Sequence, residues 1–281
     1  MKKILFIVLM MGVVISYSQT IKRQVVFTKG EQIEKNSDIK FTNNISMMGQ
    51  DVTTNSTTKM TTVYKVNDIT DKNYVFGMTM KSITTDISAM GQQMSYNSDK
   101  PEDSSSVIGQ MMKDVVGKSA QLTIDKNGVI TDVDTAAEQQ LQKTMMAGTS
   151  MMGNQLAVGK TFELIADLPA KPVKKGDSWT DSTGSTDSSK QVTTYTIQSI
   201  ANNHAVILLN GTLAQKGTVE QNAMSISTNL TGKLNGQLEM ETATGIITNR
   251  LINVTMTGTL EMMGTSAPTS YTITITDTMQ K

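Results

Sequence analysis

The sequence predicts a mainly β protein with minor α: a large curved antiparallel sheet or half-barrel, with two short helices packed on its apolar face. Three observations carry this. Apolar and polar residues alternate with period two over long stretches, as in Ile252, Val254, Met256, Leu260 and Met262 against Asn253, Thr255, Thr257, Thr259 and Glu261. Threonine, β-branched and polar, fills most of the wet positions, which suits a sheet with one face in water. Two stretches switch to helical spacing.

In chain order, Lys2 and Lys3 precede an apolar run from Ile4 to Ile15, and Ser16-Tyr17-Ser18 places small residues at a cleavage site. That is the pattern of a secretory signal over residues 1–18, too short to span a bilayer well. Export to the periplasm, the outer cell surface or the medium is the expectation. The chain has no cysteine, so it folds without disulfides and offers no thiol for lipid attachment after the apolar run.

Residues 19–133 read as an N-terminal β half. Ile39, Phe41, Ile45 and Met47 begin its alternation. "NISMMGQDV" (44–52) and "DISAMGQQM" (86–94) place a glycine behind methionine where hairpins turn, and "TLEMMGTSA" (259–267) does so again near the C-terminus. In a Met pair, one side chain completes the core and the other faces water or a partner. Within this half, 104–116 is predicted helical. Val107, Ile108, Met111, Met112, Val115 and Val116 form one stripe, Asp103 or Ser104 caps the start, and Gly117 the end. Asp125-Lys126-Asn127-Gly128 has its glycine fourth rather than sixth, which makes a hairpin turn of it and not a calcium loop.

Residues 134–172 read as a second helix followed by linker. Thr135 to Glu138 has capping-box spacing, Ala137, Leu141 and Met145 share a face, and 145–155 and 168–172 carry loop composition. Residues 173–281 form the C-terminal β half. "DSTGSTDSSK" (181–190) reads as a polar tip or disordered loop, and the single tryptophan, Trp179, as a core residue.

The halves resemble each other. "YKVNDITDKNYVF" (64–76) aligns without a gap to "YTIQSIANNHAVI" (195–207), and "GKSAQLTIDKNGVIT" (117–131) aligns to "GKLNGQLEMETATGIIT" (232–248). A Lys-Gly-acid turn precedes each set, at Lys29-Gly30-Glu31 and Lys175-Gly176-Asp177. The shared order argues for duplication; a β-meander reusing one strand-turn grammar is the alternative.

Function is constrained mostly by exclusion. Without Lys2 and Lys3, the 25 basic residues fall to 23 against 25 acidic ones, which leaves no overall footprint for nucleic acid. His204, the only histidine, reads as a surface turn, and no serine sits on a Gly-x-Ser-x-Gly elbow. No catalytic residue, metal site or cofactor is predicted, and no enzyme. No later stretch is apolar enough for a membrane helix.

The compositional excess is methionine, 22 residues. Met fills irregular apolar volume in a core poor in aromatics, lines adaptable grooves, and is a soft Cu(I) ligand. The candidate ligand-binding residues are Val107, Ile108, Met111, Met112, Val115, Met47, Met90 and Met262, placed around an apolar groove for a lipid or lipoprotein. The alternative is an interaction module with a filled core; Met-based copper binding is a third and more remote reading.

The signal ending in Ser-Gln, the "MGQ" hairpins, "SDKPED" (98–103), "LTIDKNGVITDVD" (122–134) and "LPAKPVKKGDSW" (168–179) resemble an uncharacterised family of exported proteins from Bacteroidetes-type bacteria, a domain of unknown function. That resemblance implies no catalytic residues. At the level of fold, the pattern is similar to periplasmic lipoprotein carriers and lipid-binding lipoproteins, where a concave apolar face holds acyl chains.

Overall fold

The computed structural model describes residues 19–281 apart from 48, 101, 104–105, 113–114, 135–155, 185–188, 222–223 and 263. At Met47, Val107, Met111, 219–221 and 224–225 the backbone alone is described. The predicted signal and second helix therefore lie outside the described residues.

The strands are β1 (Thr20–Ile21), β2 (Gln32–Met47), β3 (Gln50–Ile69), β4 (Asn73–Ala89), β5 (Gln92–Asn97), β6 (Ser119–Asp125) and β7 (Ile130–Val133), then β8 (Val173–Lys174), β9 (Ser178–Gly184), β10 (Ser189–Ala201), β11 (His204–Gln221), β12 (Met224–Glu241), β13 (Ile247–Met262) and β14 (Thr265–Gln280). One helix, α1 (Val107–Met112), follows β5. Twelve strands form one antiparallel sheet in the order β7-β6-β4-β3-β2-β14-β13-β12-β11-β10-β9, with β5 also on β4; β1 and β8 pair separately. The two halves thus join edge to edge through β2 and β14.

The halves share details finer than strand order. In β3–β4 the pairing steps from Val66↔Phe76 to Asp68↔Val75, and in β10–β11 from Ile197↔Ile207 to Ser199↔Val206. These are the same bulge at aligned positions. Each bulge receives a Lys-Gly-acid turn. Gly30 N–H donates to Val66 O at 2.9 Å and Gly176 N–H to Ile197 O at 2.8 Å, with φ of 86° and 87°. Glu31 and Asp177 each accept from the backbone three residues earlier, at Thr28 and Lys174. A positive φ at this docking point is why glycine stands in both turns.

The sheet is curved rather than closed. Tyr271 Oη on β14 donates to Gln215 Oε1 on β11 at 3.2 Å, although β13 and β12 lie between them. On a flat sheet those strands would be roughly 14 Å apart. Glycines on the dry face permit the bend. In register, Leu209 faces Gly236 and Ile252, Gly211 faces Leu234, and Leu213 faces Gly232 and Met256. A Cβ on Gly232 would sit 2.2 Å from Thr255 O, and one on Gly258 2.0 Å from Asn229 O. Large and small residues therefore alternate so that the strands can close up.

Among the described residues, the main core is sealed by irregular chain. Leu156, Phe162, Leu164, Ile165, Ala166 and Leu168 are buried in it, together with Ile21, Val25 and Phe27 from the N-terminal segment. The span 134–172, predicted as helix and linker, thus contains an apolar plug at its C-terminal end. The plug meets both copies in the same way. Phe162 N–H donates to Gly128 O at 2.8 Å, and Ala166 N–H to Gly245 O at 3.1 Å. Those glycines end the aligned β6–β7 and β12–β13 turns.

Helix α1 is shorter than the predicted 104–116. Its cap is Ser106, whose Oγ accepts from Gly109 N at 2.9 Å, while Asp103 instead accepts from Asn97 N. Gly117 does not close the helix: its N–H donates to Met80 O, because Val116 has already bridged to the sheet. Trp179 is half-buried and stacks on Tyr195, and 181–184 continue β9 into its hairpin with β10, so of the two readings of 181–190 the hairpin is the one that holds. The Asp125–Gly128 turn is a hairpin as read, with Asp125 Oδ1 accepting from Asn127 N and Val129 N.

Candidate functional site

The plug divides the concave face unequally. Over the N-terminal half, Phe162 packs at 5.5 Å from Tyr64 and 5.1 Å from Phe76, and Phe76 in turn meets Phe27 at 4.9 Å. Tyr64, Phe76, Phe27 and Phe162 thus pack against one another there. Over the C-terminal half, Tyr195 aligns with Tyr64 and Ile207 with Phe76, so a ring is missing from the cluster. A cleft of about 290 Å³ lies there, between the plug and β9–β13. Leu209, Leu234, Leu238, Ile247 and Ile252 form its apolar wall, and Asp167, Asp181, Thr193 and Tyr195 its polar side.

One end of the cleft rests on a buried charge cluster. Glu163 of the plug pairs with Lys35 and accepts from Tyr64 Oη. Arg250 Nε donates to Asp277 Oδ2 at 2.7 Å, and Arg250 Nη1 reaches Glu163 O at 3.5 Å. Burial alone would raise the Glu163 and Asp277 carboxyls; Lys35 and Arg250 outweigh it and hold both below their usual range. Burial pushes the Tyr64 hydroxyl well up, helped by the Glu163 charge. The cluster is neutral in sum and each charge has a partner, so it works as a latch holding plug to sheet.

The opposite side is tuned differently. Burial raises the Asp167 carboxyl, and the Asp181 charge adds to it against the pull of Thr161 and of Arg23, 3.8 Å away. Tyr195 is pushed up to about 12, first by burial and then by Asp167 and Asp181. Trp179 Nε1 donates to Asp167 O at 3.0 Å and stacks on Tyr195 with ring centroids 5.4 Å apart, which fixes this wall. His204 contacts Glu239 at 3.2 Å, outside the cleft. Among the described residues no group of three or more His, Cys, Asp or Glu is arranged to hold a metal.

The predicted ligand-binding residues lie elsewhere. Met112 and Val115 are fully buried, with Met80, Ile83 and Tyr96, in a small second core against which Ile108 and Met60 pack. Val107 and Met111 belong to the same helix, but their side chains are outside the described residues. Met90 is 77% exposed at the β4–β5 turn, Met262 half-buried near the end of β13, and Met47 ends β2. Of the five whose side chains are described (Ile108, Met112, Val115, Met90 and Met262), none lines the cleft. Its residues carried two signals. Glycine alternates with leucine on one face of β12, and Arg250 occupies a dry-face position ahead of Ile252, Val254 and Met256.

Comparison with known proteins gives fold more than activity. The chain is similar to a solved structure described as lipid-protein interactions in lipovitellin, with 9% identity and a TM-score of 0.53. The match covers 91% of this chain but 26% of that one, so the chain spans about a quarter of its relative. An outer membrane channel from Pseudomonas putida F1 matches at 8% identity, over 92% of this chain and 98% of the channel, with a TM-score of 0.25, too low to relate the folds. No curated protein matches in sequence. No helix among the described residues is long and apolar enough to cross a membrane. A model of a family of unknown function, DUF6263, matches residues 71–247, and the chain belongs to that family.

Proposed function

We propose that this is an exported, non-enzymatic protein of the cell envelope that holds a hydrophobic ligand, a lipid or the acyl chains of a lipoprotein, on its concave face. The observation that carries the reading is the cleft of about 290 Å³ with a continuous leucine and isoleucine wall, left open where the N-terminal copy is filled by aromatic rings. Its size is at the low end of small-ligand sites, roughly 300–1,000 Å³. Each methylene drawn in would contribute about 0.8 kcal/mol. The likeness in fold to lipovitellin supports the reading, since that structure's description concerns lipid contacts. The leader-like N-terminus supports export.

Native mass spectrometry of protein purified from its own host tests this. A co-purifying lipid mass that is lost in Leu234→Trp is the expected result; bare protein throughout would overturn it. A second reading, an interaction module, is favoured by one observation: Met90 and Met94 are 77% and 53% exposed beside the β4–β5 turn. That turn lies at the same end of the sheet as the β2–β3 and β13–β14 turns, away from the plug. Flexible, exposed methionines suit an adaptable protein contact.

A further inference from the structure

The outer face of the C-terminal half carries a separate hollow of about 600 Å³ across β10 to β13. A twisted sheet is saddle-shaped, so a face that is convex along one diagonal is hollow along the other. The register sets the lining. One row runs Lys190, Ala214, Thr231, Thr257, and the next Val192, Thr212, Lys233, Thr255. The two lysines therefore lie on a diagonal with four threonine hydroxyls around them. No carboxylate lines the hollow, and neither lysine forms an ion pair with another described residue. In a chain whose charges balance overall, this is a local segregation of positive charge that composition hides.

The chemistry selects a ligand class. Lysine ammoniums are point charges for anions, and threonine hydroxyls both donate and accept, which suits a polyol. The groove has no aromatic face, so charge and hydroxyl contacts, not ring stacking, must supply recognition. Charge complementarity thus calls for an anion, and a hollow calls for something that fills it. A bilayer surface is too flat to do so. We propose that this groove binds an acidic glycan, a sugar chain carrying carboxylate or phosphate groups. The site is independent of the concave cleft.

The test is calorimetric titration of the whole chain with a galacturonic acid oligomer, its fully methyl-esterified and therefore uncharged counterpart, and phosphatidylglycerol vesicles. Binding of the acidic oligomer alone is expected, weakening with added salt. Lys190→Gln and Lys233→Gln should each weaken it about tenfold, the usual loss for a hydrogen bond to a charged group. Thr231→Val with Thr257→Val should weaken it less. These side chains are exposed, so unchanged thermal unfolding verifies the fold of each variant. Equal binding of charged and uncharged oligomers, binding to vesicles only, or no binding at all would each overturn the proposal. Lipid co-purification by Lys190→Gln/Lys233→Gln should match the wild type, which separates this site's failure from that of the cleft.

Discussion

The N- and C-terminal halves share a bulge, a docking turn and a plug contact, yet their interiors are filled differently. In the first, Phe27 meets Tyr74 and Phe76 edge to face, Phe162 tilts against Phe76, and α1 covers Met80 and Ile83. In the second, Ile207 stands at the position aligned with a ring, and the strands bend over the glycines of β11 to β13. The two halves share what fixes strand pairing and differ in the side chains that fill the interior. The comparison also shows why the tyrosines differ. Tyr64 is sealed against Glu163, whereas aligned Tyr195 borders the cleft and leans on Trp179.

The largest test of this contrast concerns the ring cluster. Phe76→Ala, fully buried between Phe27 and Phe162, should cost about 3–5 kcal/mol in denaturant unfolding, because the rings around it cannot collapse. Leu234→Ala, on the wall of an existing cleft, should fall near 2 kcal/mol, the low end for leucine truncation, since little new void is created. Equal losses would erase the distinction between the halves. Glu163→Ala should also cost about 3–5 kcal/mol, by leaving Lys35 and Arg250 buried with fewer partners. Replacing Lys35 and Glu163 together by Met and Leu should recover part of that.

Curvature gives a smaller test. Gly232→Ala should destabilise by about 1–3 kcal/mol, because its Cβ meets a backbone oxygen at 2.2 Å. Gly77→Ala, in the other half, meets the Asn67 side-chain amide at 2.8 Å, which can swing away, so a loss below about 1 kcal/mol is expected by thermal unfolding.

The smallest effects are in pH dependence. The Glu163 and Asp277 carboxyls are depressed in the folded state, so their contribution is fully present above the ordinary carboxylate range and is lost as pH falls through their lowered values. Asp167 is raised, so its ionisation costs the folded state at neutral pH and that cost vanishes in acid. Asp167→Asn should therefore be slightly more stable than the wild type at pH 7, with the gap closing below about pH 4 as Asp167 is protonated in both states. A gap that widens in acid would reverse the assignment.

Strand alternation, the hairpin turns and the aligned halves were legible in the sequence because period two and positive-φ glycines are local signals. The plug was not. Phe162, Leu164, Ile165, Ala166 and Leu168 have no strand or helix period, since their backbone is satisfied by scattered bonds to both halves. Met112 and Val115 were legible as the buried stripe of a helix, and they join Met80, Ile83 and Tyr96 in a second core apart from the main one. The cleft is lined by residues far apart in the chain, from Lys160 in the plug to Ile252 on β13, so no single stretch of sequence carries it.

The most direct measurement is methyl NMR with a stearate bearing a nitroxide on its chain. The account predicts broadening of the Leu209, Leu234 and Leu238 methyls, with Leu122 and Ile124, in the N-terminal half, unaffected. No broadening, equal broadening in both halves, or broadening confined to the Met90 and Met94 methyls would contradict it.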